Sequence, residues 1–219
     1  FPYTTLFRSF SLADQVALLG LARRLLEDAG APAIRAFRAG NFGANDDTLR
    51  ALGEIGIAWD SSVNPAYLGG ACRIAADHGQ IGAQRLHGVI ELPVSGIADR
   101  PGGFRPAQIC AMSAAEMLAG LRHAVRNGHD AFVVVTHSFE MLSRDRARPN
   151  QAVIGRFARL CQEAARLPGV EGAGFRFETL KRFYLPGAPR PGQSANCTWP
   201  RRPASRAMQV GRSSPWRAM

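Results

Sequence analysis

Apolar residues recur at helical spacing in four stretches of the chain, with shorter apolar runs of strand length between them. The first stretch carries Val16, Leu18, Leu19, Leu21, Leu25 and Leu26 and stops near Gly30. It opens on Ser11-Leu-Ala-Asp14, a capping box whose hydroxyl and carboxylate can satisfy free N–H groups of the first turn. Asn45 caps a second helix bearing Leu49, Leu52 and Ile55, which Gly56 ends. Ser113-Ala-Ala-Glu116 is another capping box and opens a helix through Met117, Leu118, Leu121 and Val125 to Gly128. The fourth helix is predicted over 151–166.

Strands are predicted over 34–37, 57–59, 89–94, 131–135 and 173–177, and 63–88 reads as a long irregular stretch. The run 131–135 is apolar at every position, the pattern of a parallel strand buried on both faces. Alternating strands and helices predict an α/β fold with parallel strands, as a sheet or a barrel. About five strands are two or three fewer than a closed (β/α) barrel needs.

Composition narrows the partners. The 219 residues suffice for one domain with a sizeable core, and 46% apolar content is ordinary for a globular chain. No apolar run reaches about 18 residues, so no membrane span is predicted. Cys72, Cys110, Cys161 and Cys197 stand apart, which argues against a zinc knuckle or a disulfide framework and reads as buried free thiols. Of the net charge of +10, six units come from arginines after Leu185 and one from Arg8, leaving +3 for residues 10–185. So mild a charge does not predict a nucleic-acid partner.

Both ends differ from the body. Residues 1–9, FPYTTLFRS, resemble the in-frame translation of a sequencing adapter and are expected to be a non-native leader. Residues 186–219 are rich in Arg, Pro, Ser, Ala and Gly without apolar periodicity, and are expected to be a disordered tail or a frame-shifted read-through. Residues 10–185 are then expected to be part of a catalytic domain whose natural beginning lies upstream. That leaves the compartment open, with the cytoplasm as the default.

In parallel α/β folds, catalytic groups gather at the C-terminal ends of strands. His137 follows the run 131–135, and an imidazole can donate and recover a proton near neutrality. A hydrogen-bonded histidine at a strand end is the competing reading. Arg38 follows the first strand, on a turn where Gly40 and Gly43 allow close approach of backbone, and could orient a carboxylate in bidentate fashion. A surface arginine is the alternative there. Asn41 of that turn, Asp60 after the second strand and Glu91 in the third are candidate substrate contacts; Asp60 could also steer an imidazole or bond its own backbone. His78, His87, His123 and His129 form no H-x-H or H-x-x-H pair, so no metal ligands are assigned within the chain.

Taken together, Phe37-Arg-Ala-Gly-Asn-Phe-Gly-Ala-Asn-Asp-Asp-Thr-Leu-Arg-Ala-Leu52, Asp60-Ser-Ser, Ile90-Glu-Leu-Pro-Val94 and Val133-Val-Val-Thr-His137 resemble a polysaccharide deacetylase of the carbohydrate-esterase type. The likeness spans most of 10–180. It implies a distorted (β/α) barrel, here incomplete because its N-terminal strands are missing. It also implies a divalent metal, usually zinc, held by an aspartate and two histidines, with a second aspartate as base. Metal and base would activate water against the acetamide of an N-acetylated carbohydrate. The resemblance makes His137 the general acid for the departing amine and Arg38 the residue that holds the catalytic aspartate.

The aspartate pair and the ligand histidines of that family belong upstream of the Ser11 helix, and this chain contains neither. Asp46-Asp47 does not replace them, since it sits in the first turn of a helix where acids meet the dipole. The motif at Arg38 reads Arg-Ala-Gly where many members carry proline, which implies a divergent subfamily. A hydrolase of another small-amide C–N bond and a non-catalytic carbohydrate-binding relative are the alternatives. On this reading the purified chain takes up no stoichiometric zinc. One-to-one uptake in a metal titration would overturn the expectation.

Overall fold

The computed structural model describes residues 7–76, 82–170 and 172. Among them, each helix starts where a side chain satisfies the free N–H groups of its first turn. For α1 (Leu12–Asp28), Ser11 Oγ accepts from Asp14 N at 3.2 Å and donates to the Asp14 carboxylate at 2.7 Å. For α2 (Asp46–Glu54), Asn45 Oδ1 accepts from Thr48 N at 3.0 Å while Thr48 Oγ1 accepts from Asn45 N at 3.2 Å. Gly30, at φ 90°, turns the chain out of α1 in the left-handed conformation that glycine adopts without strain.

The buried faces of these helices meet each other and one sheet. Leu19, Leu49, Leu52, Ile57, Val63 and Val89 share a core. Inside it, Thr48 Oγ1 donates to Gln15 Oε1 at 2.7 Å, joining α2 to α1 through a fully enclosed hydrogen bond. The other face of α1 is also apolar: Leu18, Leu21, Leu25 and Leu26 are exposed.

The sheet is mixed, in the order β1-β2-β4-β3. β1 (Ala36–Phe37), β2 (Trp59–Asp60) and β4 (Val89–Glu91) run parallel, with Phe37 beside Asp60 and Asp60 beside Glu91. β3 (Gln84–Leu86) is antiparallel to β4 and lies within the stretch expected to be irregular. His87 and Gly88, at φ 47° and 83°, make the two-residue turn between them. A second hairpin, unexpected from the pattern, pairs β5 (Gly96–Arg100) with β6 (Gly103–Pro106). It packs near α3 (Ala114–Arg126) and α4 (Gln151–Ala165), around Ile97, Ile109, Met112, Met117, Leu118 and Leu160.

Two expectations need correction. The run 131–135 is not a doubly buried strand: only Val135 is buried, and its one ladder contact is an isolated parallel bridge to Gln108. The reason lies in its neighbours. Ser95 Oγ accepts from Val133 N at 2.9 Å, so a side chain stands where a ladder carbonyl would be, and backbone pairing is confined to Ser95, Ala107 and Ile109. Secondly, the described strands form a four-stranded mixed sheet and a hairpin, and no closed barrel is present among the described residues. The architecture is mixed α/β with four α-helices among those residues.

Residues 7–9, assigned to a leader foreign to the fold, lie against it. The Phe7 ring is 5.8 Å from that of Phe37, and Arg8 Nε donates to the Ala71 carbonyl at 2.9 Å. The strand expected at 173–177 and the tail at 186–219 fall outside the described residues.

Two glycines test this packing in opposite directions. A Cβ on Gly96 would overlap the Arg105 carbonyl oxygen and the Phe104 ring, whereas one on Gly155, in α4, meets nothing within 4 Å. Gly96→Ala is expected to lower the unfolding free energy by about 1–3 kcal/mol through overpacking. Gly155→Ala should raise it by roughly 0.5–1 kcal/mol through helix propensity. Urea unfolding of both variants reads the two signs.

Candidate functional site

Three parallel strands end on the same sheet edge and carry the predicted residues there. Arg38 leaves β1 with Nε donating to the Ser61 carbonyl at 3.0 Å and Nη2 donating to Ser61 Oγ at 2.8 Å. Ser61 Oγ in turn donates to the Leu92 carbonyl at 2.7 Å, so β1, β2 and β4 are linked through one hydroxyl. Arg38 as a whole is exposed, yet these two nitrogens face inward. Burial depresses the guanidinium pKa, and the neighbouring Asp60 and Glu91 carboxyls oppose that shift.

Beneath Arg38, Asp60 and Glu91 are register partners and both are fully enclosed. Asp60 Oδ1 accepts from Ser62 Oγ at 2.7 Å and Oδ2 from Ser62 N at 3.1 Å. Ser62 Oγ also accepts from Ala39 N at 2.9 Å, which fixes the backbone just after Arg38. Glu91 Oε1 accepts from Val63 N at 2.9 Å, while Oε2 finds no donor among the described groups. A buried carboxylate oxygen without a donor is costly, and protonation resolves it. Asp60 is its register neighbour, and two enclosed carboxyls side by side favour the protonated form over a pair of charges. Burial first, then the charge and hydrogen bond of Asp60, push Glu91 well above the usual carboxylate range. Burial also raises Asp60, against hydrogen bonds from Glu91, Ser62 and the Ser61 backbone.

Of the three expected substrate contacts, Asn41 alone is open to solvent. Asn41 and Phe42 both adopt left-handed backbone, at φ 50° and 57°, in a turn held by stacking of Phe42 on Tyr67 at 5.4 Å. Asp60 and Glu91 face the interior, and neither carboxyl is presented to solvent. Asp60 does not steer the imidazole either, because its oxygens are engaged by Ser62 and Glu91.

His137 belongs to a second network, whose centre is a residue the sequence reading left unassigned. The ring is half exposed and stacks on Phe139 at 4.9 Å. Its Nδ1 lies 3.1 Å from Glu140 Oε1, and the Glu140 side chain is only 7% exposed. Gln108 Nε2 at 2.7 Å and Cys110 Sγ at 3.3 Å donate to the same oxygen. Thr136 Oγ1 and His137 N donate to the other. Burial raises the Glu140 pKa, but these hydrogen bonds outweigh it and hold the group below the usual range. The spacing of three residues from His137 to Glu140 was the available signal.

The remaining candidates play local roles. Asp47 pairs with Arg50 at 2.6 Å, and Asp46 accepts from Ala75 N at 2.9 Å, as first-turn acids of α2. His87 sits in the β3–β4 turn 3.6 Å from Asp46, His123 and His129 meet edge to face at 5.8 Å, and His78 lies outside the described residues. Cys72 is buried, but Cys110 and Cys161 are exposed, contrary to the expectation of buried thiols, because both lie at helix-side or loop positions facing solvent. Among the described residues, no group of three or more His, Cys, Asp or Glu side chains is placed to hold a metal ion.

Fold and site together define a mixed α/β protein with a sealed carboxyl pair under an arginine and a separate surface histidine–glutamate pair. No family model matches the chain, and neither the curated proteins nor the solved structures give a match.

The carboxyl pair sets a pH dependence. Raised folded-state pKa values mean that the folded chain holds protons the unfolded chain releases. Their contribution to stability is therefore complete below the ordinary carboxylate range and is lost as pH rises from that range through the folded-state values. Glu91→Gln, which mimics the protonated acid, should flatten this decline. Denaturant midpoints from pH 4 to pH 8 that fall equally steeply in variant and wild type would exclude a raised Glu91 pKa.

Proposed function

We propose that the chain is the C-terminal part of a hydrolase of the polysaccharide-deacetylase kind, removing acetyl groups from N-acetylated carbohydrates. Its described sheet would then be one arc of an incomplete, distorted (β/α) barrel. The observation that carries this reading is the convergence of Arg38, Asp60-Ser61-Ser62 and Glu91, all from the resembling segments, in one hydrogen-bond network at the C-terminal edge of parallel strands.

Arg38 supplies a guanidinium whose direction is set by Ser61, with the rest of the group left toward solvent to meet a carboxylate. His137, half exposed and braced by Glu140, supplies the proton to the amine nitrogen as the acyl C–N bond breaks. Asn41 is the exposed polar group on the intervening turn and is suited to a sugar hydroxyl. Asp60 and Glu91 act from below, as the support of that turn. The implied zinc does not fit the described donor set: Asp60 and Glu91 are spent on each other and on Ser62 and Val63, and Glu140 on His137. By the resemblance, its ligands would lie upstream of the Ser11 helix.

That assignment is open to a direct check. The sequence upstream of Phe10 should encode an Asp-Asp pair followed by two closely spaced histidines, and its absence would sink the enzyme reading. In a chain so extended, His137→Ala should slow acetate release from an N-acetylglucosamine oligomer by roughly 10² to 10⁴. Arg38→Ala should lower kcat, and a pure rise in KM would place Arg38 on the substrate instead.

A further inference from the structure

We infer that Glu140 is the positioning residue for His137: its carboxylate accepts a hydrogen bond from Nδ1–H, leaving Nε2 as the ring nitrogen that meets a ligand. The inference rests on the hydrolase reading only for what His137 does, not for how His137 is held.

The ionisation of Glu140 sets the role of the ring nitrogen that faces it. An ionised carboxylate can only accept, so the ring nitrogen 3.1 Å from Glu140 Oε1 must be the protonated one. Glu140 is ionised because Gln108, His137 and Cys110 all direct donors at it and outweigh its burial. The thiol of Cys110 stays protonated beside it, as burial and the Glu140 charge both push its pKa up. With Nδ1 committed, Nε2 of the neutral ring carries the lone pair and is the base; in the imidazolium it carries the proton that can be given away. Nε2 has no partner among the described residues.

Glu140 is also well placed to hold this geometry. Five donors from Gln108, Cys110, Thr136 and His137 surround its two oxygens. Gln108 is itself anchored, because the backbone on either side of it pairs with Val135 through Ile109 N at 3.1 Å and the Ala107 carbonyl at 2.8 Å. Phe139 stacks on the ring and limits its rotation. A histidine merely resting on the surface would require none of these supports.

The test uses the full chain labelled with ¹⁵N-histidine, and reads the His137 tautomer from long-range proton–nitrogen correlations at a pH where the ring is neutral. Wild type should show the Nδ1–H tautomer as the dominant form. Glu140→Ala should shift His137 to Nε2–H, the form a free side chain favours. Glu140→Gln should keep Nδ1–H, because its amide oxygen still accepts. Nε2–H in wild type, or the same tautomer in wild type and Glu140→Ala, overturns the inference. Should the alanine variant not fold, the wild-type tautomer and its retention in Glu140→Gln decide alone. Acetate release by the upstream-extended chain is read separately, so a failed hydrolase reading and a failed role for Glu140 give different results.

Discussion

The parallel register of β2 and β4 places the Asp60 carboxyl beside that of Glu91, with neither open to water. Two adjacent carboxylates in a medium of low polarity repel strongly, and each also resists ionisation on its own. Protonation is favoured over two adjacent charges, and the Asp60 oxygens and Glu91 Oε1 accept from Ser62 and Val63. The turn after β1 depends on this arrangement. Ser62 holds the Ala39 backbone, Ser61 holds the Arg38 guanidinium, and Ser61 reaches β4 through the Leu92 carbonyl.

A second arrangement, at His137, reaches order by a different route. Here the ionised group is held by donors, and the imidazole it supports stands half in solvent. Buried charge is tolerated when every oxygen is satisfied, and Glu140 meets that condition where Glu91 as an anion does not. The contrast separates the two carboxyls by task. Burial pushes Glu91 toward its neutral form below the sheet edge, and the donors around Glu140 favour its charged form beside a group that faces outward.

The scaffold between them is uneven. The α1–α2 layer is closed by apolar contacts and the enclosed Thr48–Gln15 bond, while the segment before His137 is held by a few backbone bonds to Ser95, Ala107 and Ile109. A run of valines next to partners that each offer one residue forms no continuous ladder, whatever its intrinsic strand preference. That places His137 after an irregular segment, so its orientation depends on the Glu140 network.

The helices and their caps were legible from sequence because each cap is satisfied within three residues: Ser11 by Asp14, Asn45 by Thr48, Ser113 by Glu116. The same locality made the His137–Glu140 pair readable in principle. The β3–β4 turn was not, because His87-Gly88 lacks the Asn-Gly or Asp-Gly signature, and the β5–β6 hairpin carries no strict alternation. Nor did the leucines of α1 reveal which of its apolar faces would be covered. The chemistry at Asp60 and Glu91 lay furthest from view. Each residue could be named as a strand-end acid, but its burial and its neighbour 31 residues away were set by register and packing. Local hydrogen bonding therefore determined where the helices begin and end. Only the tertiary structure decided that Arg38 stands over two enclosed acids, because that depends on three strands separated in sequence meeting in one register.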